Sequence, residues 1–233
     1  MYQINLSDLG VGFIPVLITL GLMLYWSLSI RTALVSIGRM LLQLLVIGYA
    51  LNFIFGSDSS LIVTLVLCAM LFAASWISLN PVENRSARMY GHSLIAISIG
   101  GLLTLAVTSQ GVLHLDPWYD PSVIIPIAGM IFSSSMTTVS LAAERFFSEQ
   151  RYQTDYRLCR NIAYQAAMIP IFNSLLAVGL VSLPGMMTGQ ILSGVEPLIA
   201  VRYQIMVMLM VFGASGISAA IFLQLLKPED STT

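Results

Sequence analysis

The sequence predicts an all-α fold, a polytopic integral membrane protein of about seven transmembrane helices. Three observations predict it. Of the 233 residues, 57% are hydrophobic and only 9% charged, with a mean hydropathy of +0.87; a soluble domain carries about 25% charged residues. The apolar residues fall in blocks long enough to cross a hydrocarbon core about 30 Å thick, which takes about 20 residues at 1.5 Å each. The two-residue alternation of a membrane β-barrel is absent, and helices are the other spanning structure that satisfies its own backbone. A soluble enzyme, a disordered tail and a nucleic-acid binder, which needs a basic surface, are excluded.

Seven stretches qualify as spans: Leu9–Leu28, Leu34–Phe55, Leu61–Leu79, His92–Val112, Val123–Ala143, Ile162–Ser182 and Leu198–Leu226. No Lys or Arg precedes the first, and Ser7-Asp8 reads as its helix N-cap, so it is not a signal peptide. Pro126 makes the fifth kinkable. The last is longer than a crossing needs and tilts or extends into water. The whole of residues 1–233 reads as one polytopic membrane domain, with its longest connection at about 144–161.

Charge placement orients the chain. Arg31 and Arg39, Arg85 and Arg88, then Arg145, Arg151, Arg157 and Arg160 follow the first, third and fifth spans. The second and fourth connections hold Asp58, Asp116 and Asp120 and no cation. The positive-inside rule puts the N-terminus outside and the C-terminus, with Lys227, in the cytoplasm; Arg202 is the misfit. The location expected is a bacterial inner membrane.

The same scarcity removes several activities. Every carboxylate lies in a connection or near a helix end, which weakens an ion-coupled carrier or an aspartyl intramembrane protease. A retinal protein needs a lysine within a helix, and Lys227 is the only lysine. Gly213-Ala214-Ser215-Gly216 imitates a rhomboid-type serine motif, but His92 and His114 both precede it; Gly213, Gly216 and Ala220 read more simply as a close-packing face. One lysine beside Pro228 cannot build a phosphate-binding loop, so ATP-driven action needs a partner chain. The catalytic set is empty. Met186-Met187 and Met206/Met210 could suit a soft metal, yet methionine is an ordinary packing residue and no metal site is assigned.

Four features could carry function. Arg39 and Gln43 are one turn apart in the second span. Ser133, Thr137 and Ser140 share a face of the fifth, where they either line a hydrated path or bond back to their own helix. Asn173 follows Pro170 by one turn. The connection 144–160 carries Glu144, Arg145, Glu149, Arg151, Asp155, Arg157 and Arg160, seven of the twenty-one charged side chains, among Phe146, Phe147, Tyr152 and Tyr156. It reads either as an amphipathic helix on the membrane face that docks a cytoplasmic partner or as a solvated loop.

The Pro- and Gly-rich stretch Leu183–Pro197 interrupts helix between the last two spans; Gly185 and Gly189 there could admit a close helix neighbour. With Ala200–Met206 it resembles the signature of the FetB-type permeases, the membrane subunits of ABC transporters that include bacterial iron-export and plant aluminium-tolerance proteins. The likeness is carried by Pro184, Gly185, Met186, Met187, Gly189, Tyr203 and Gln204. Gly38-Arg39-Met40 with Gln43-Leu44, Gly48-Tyr49, Ile125–Met130 and Val178–Ser182 extend it over most of the chain. The resemblance implies a permease that exports a metal ion such as iron, or a small solute, paired with a second permease copy. Two cytoplasmic ATPase subunits would power it; this chain binds no cofactor, and ATP and Mg sit on the partner. One departure stands out. The family carries a Glu…Ala…Gly coupling motif before the sixth span, whereas residues 130–178 contain no glycine and the connection is short. That leaves open an adaptor subunit that has lost coupling.

Overall fold

The computed structural model describes residues 6–56, 59–82, 85–152 and 155–227; Asp58 lies outside them. Nine helices are present among these residues: α1 (Leu6–Val11), α2 (Ile14–Tyr25), α3 (Arg31–Phe55), α4 (Ser60–Ser78), α5 (Ala87–Ala106), α6 (Pro121–Gln150), α7 (Tyr156–Ala177), α8 (Gly185–Leu192) and α9 (Pro197–Leu225). No strand occurs among them. Five helical segments are long and apolar enough to span a membrane: Arg31–Ala50, Ser60–Ser78, Ala87–Val112, Pro121–Gln150 and Pro197–Leu225. The protein is an integral membrane protein of helical class. α7 has the length, 22 residues, but carries Arg157, Arg160, Asn161, Gln165 and Asn173 and is less apolar.

The chain divides into two compact units, residues 1–57 and 58–233. In the first, the expected span Leu9–Leu28 is two helices. Pro15 explains the break: it lacks an N–H and its ring would meet the carbonyl of Val11, so α1 stops and α2 restarts with Pro15 in its first turn. Ser7 and Asp8 lie inside α1 rather than capping it. The 12 residues of α2 reach only about 18 Å. α3 is apolar around most of its circumference, and no residue of Arg31–Ala50 is buried.

In the second unit α9 is central: it packs on α5, α6, α7 and α8, while α4 packs on α5 and α6. Starts are set locally. Ser86 Oγ accepts from Met89 N at 3.2 Å to cap α5, Asp120 Oδ1 accepts from Ser122 N at 2.9 Å to cap α6, and Asp155 Oδ1 accepts from Arg157 N at 2.8 Å to cap α7. The core is built on small residues, as membrane helix pairs require. Ala96, Ala128, Ala142, Ala163, Ala167, Ala214 and Ala219 are fully buried beside Ile131, Phe132 and Phe222. Gly100 and Gly101 make the tightest approaches. A Cβ on Gly100 would sit 2.9 Å from the Ser218 backbone nitrogen, and one on Gly101 2.8 Å from the Phe132 ring.

Several boundaries depart from expectation. α6 is 30 residues, about 45 Å long, so it runs roughly 15 Å beyond the hydrocarbon core and absorbs Glu144–Gln150. The connection expected at about 144–161 is therefore two helix ends and a short link, not a separate helix lying on the membrane. α7 ends at Ala177, five residues early, because Gly179 (φ +82°) closes a tight turn in which its N–H donates to the Ser182 carbonyl at 3.0 Å. α5 continues as a π-helix over Val107–Val112. The face of α9 that packs closely is Ala214, Ser215, Ser218 and Ala219. Gly216 meets Tyr164 and Met168, while Gly213 has no neighbour within 4 Å of a built Cβ and Ala220 is exposed. Gly185 and Gly189 likewise meet nothing within 4 Å, so α8 makes no glycine-mediated approach among the described residues.

Candidate functional site

The second unit gathers cations at one end: Arg85 and Arg88 before and in α5, Arg145 and Arg151 at the end of α6, Arg157 and Arg160 opening α7, and Lys227 after α9. Aromatic packing holds this charged end together. Phe146, 2% exposed, sits edge-on to Phe147 at 5.6 Å and to Tyr156 at 5.9 Å. Tyr156 Oη donates to the Leu223 carbonyl at 2.8 Å, a second bond to an oxygen that also accepts from Leu226 N at 3.2 Å in the last turn of α9. Arg85 Nη2 donates to the Asn80 carbonyl at 2.9 Å and folds the α4–α5 link back.

Between that link and the end of α6 lies a cavity of about 730 Å³. Pro81, Val82, Met89 and Phe147 form its apolar wall, and Glu144 and Arg151 its charged one. It divides the seven-residue docking set. Glu144 and Arg151 line it. Arg145 and Glu149 pair with each other along α6 at 2.6 Å, Asp155 is spent on the α7 cap, and Arg157 is exposed. Arg160 turns towards α9, 5.9 Å above the Tyr156 ring. Pro81, Val82 and Met89 were missed in the sequence; a proline beside the arginine-bearing link was the available signal.

The hydroxyl-rich part of α6 has two faces. Ser133 and Thr137 are exposed, and each donates to its own helix, to the Met130 carbonyl at 3.2 Å and the Ser133 carbonyl at 2.9 Å; Ser140 is half-buried. Inward, Ser134 Oγ and Ser215 Oγ share a hydrogen bond of 2.6 Å between α6 and α9. Ser135 Oγ, Ser218 Oγ and Gln204 Oε1 are buried and have no hydrogen-bond partner among the described residues. At the other end of the unit, Asn173 borders a cavity of about 440 Å³ with Ser174, Val178, Ser182, Pro184 and Met208.

The signature residues thus belong to two elements. Pro184 precedes α8, which contains Gly185, Met186, Met187 and Gly189, and α9 holds Tyr203 and Gln204. Only Gln204 of these is buried. Arg39 and Gln43 belong to the first unit, on α3, where both are exposed.

Long apolar helices joined by close glycine and alanine seams define a polytopic helical membrane protein. The chain belongs to the family described as "Uncharacterised protein family (UPF0014)", whose profile matches residues 6–159 and 151–229. It is 36% identical over 205 residues to the "Probable iron export permease protein FetB" of Escherichia coli, covering 80% of this chain and 76% of that protein. It is 35% identical to the "UPF0014 membrane protein slr1647" of Synechocystis, covering 78% and 76%. It is 30% identical to "Protein ALUMINUM SENSITIVE 3" of Arabidopsis thaliana, covering 79% and 71%. No solved structure matches.

Proposed function

We propose that this chain is the permease subunit of an ABC transporter of a bacterial inner membrane. In this reading it exports a metal ion resembling iron, or a small solute, on energy from a separate ATPase. It has no catalytic role of its own, and ATP and Mg belong to the partner. The charged end faces the cytoplasm by the positive-inside rule, and a second permease copy completes the path. The observation that carries the reading is the cavity at that end. Its apolar wall and opposed charges fit the exposed end of a partner helix, the mode by which a helix seats in a groove. The likeness to a protein named as an iron export permease supplies the substrate class.

The test is co-purification in mild detergent with a cytoplasmic ABC-type ATPase, followed by ATP hydrolysis in liposomes. Glu144→Lys with Arg151→Glu should cut the co-purified ATPase at least tenfold, while the membrane protein itself accumulates normally. Solute movement by the purified chain alone, down a gradient and without ATPase, would sink the proposal. A second reading, an adaptor subunit that has lost coupling, draws support from the short link after α6, where no separate helix occurs among the described residues. That reading predicts stable association with a second permease and no loss of ATPase from the exchange at 144 and 151.

A further inference from the structure

A second polar pocket opens at the charged end, between α7 and α9, with a volume of about 330 Å³. α7 contributes Arg160, Asn161, Tyr164 and Gln165, and α9 contributes Gln224 over a floor of Ala220 and Leu223. Its lining holds one cation and no carboxylate. We propose that this pocket binds the phosphate of an anionic phospholipid.

Depth and chemistry both point there. Arg160 stands about 6 Å along α7 from its start and Gln165 about 14 Å, while Gln224 is next to the last residue of α9. That is the level at which headgroups meet the hydrocarbon. Asn161, Gln165, Ala220 and Gln224 are exposed on the sides of their helices, so the pocket is a lateral one on the helix pair. Three uncharged amides exposed at acyl depth would be costly, and at headgroup depth they are donors for phosphate oxygens. The guanidinium is already oriented. Arg160 Nε and Nη2 donate to Asn161 Oδ1 at 3.2 and 3.0 Å, and the Tyr156 ring lies beneath the charge. A guanidinium held by that edge keeps Nη1 and the second Nη2 hydrogen for a phosphate and loses little freedom on meeting it. Ala220 and Leu223 offer the apolar surface that glycerol and the first acyl carbons need. Basic pockets between membrane helices are a known form of headgroup site. The proposal rests on the membrane placement of α7 and α9 and not on an ATPase.

Native mass spectrometry of the full chain in mild detergent tests it, with phosphatidylglycerol, phosphatidylcholine and inorganic phosphate as probes. The wild-type chain should retain phosphatidylglycerol over phosphatidylcholine, and inorganic phosphate should not displace it. Arg160→Gln removes a charge-assisted contact and should lower occupancy about tenfold or more. Gln224→Leu should lower it several-fold, and Arg202→Gln, at the opposite end, should leave it unchanged. Circular dichroism confirms folding, and if Arg160→Gln fails to fold, Gln165→Leu and Gln224→Leu together decide the matter. Equal retention of both lipids, displacement by inorganic phosphate, or an unchanged occupancy in the folded variants overturns the proposal. So does loss of a co-purifying ATPase from Arg160→Gln with lipid occupancy intact, which would give Arg160 to a protein partner.

Discussion

The two faces of α6 carry the same residue types to opposite ends. Inward, Ser134 reaches across to Ser215, while buried Thr138 donates back to the Ser134 carbonyl at 3.0 Å; outward, Ser133 and Thr137 turn their hydroxyls back onto their own helix. The Ser134 hydroxyl holds two helices together. The outward ones satisfy themselves and hold nothing among the described residues, so changing them should cost little stability and any effect on transport can be read cleanly. Composition is therefore no guide to role in this helix, and the partner each hydroxyl reaches decides it.

The comparison can be broken most severely where the inward seam is tightest. Gly100→Leu must displace the Ser218 backbone, and Gly101→Leu the Phe132 ring. Overpacking of this sort costs about 1–3 kcal/mol and more where backbone has to move. Both variants should lose yield and thermal stability in detergent, Gly100→Leu the more, as it meets backbone and Gly101→Leu a side chain that can rotate. A smaller effect is expected at the hydroxyl bridge. Ser134→Ala and Ser215→Ala should each destabilise by about 1 kcal/mol, and a double-mutant cycle should return a coupling of about 0.6 kcal/mol, the scale of hydrogen bonds between membrane helices. Additive effects would show that the bridge is not made in the bilayer. The smallest shift belongs to the outward face. Ser133→Ala and Thr137→Val should change stability by less than about 0.5 kcal/mol. If transport also stays unchanged in reconstituted vesicles, the stripe is no part of a path.

Much of this was legible in the sequence, and the exceptions share a cause. Apolar blocks located α3, α4, α5, α6 and α9, and the Pro- and Gly-rich stretch marked the break that contains α8. What hydropathy does not encode is where a helix stops in water or which of its sides is inside. α6 runs on through Glu144–Gln150 because nothing in that segment breaks a helix, while the loss of apolarity marks only the edge of the bilayer. α7 ends early through Gly179, a residue ordinary in spans. Hydroxyls at 133, 134, 135, 137, 138 and 140 surround most of α6, and lipid is as apolar as a protein core, so no stripe distinguishes the buried side. The docking set suffered likewise. Seven charges close in sequence became a cavity wall, an ion pair, a cap, a pocket and, at Arg157, an exposed side chain, since successive helical residues point 100° apart.

The hydrogen bond from Tyr156 to the last turn of α9 has a mechanical consequence. It fastens the beginning of one membrane helix to the finish of another, right beside the short link after α6. Tilting α7 apart from α9, around which the second unit is packed, would first break that bond, at a net cost of about 1 kcal/mol.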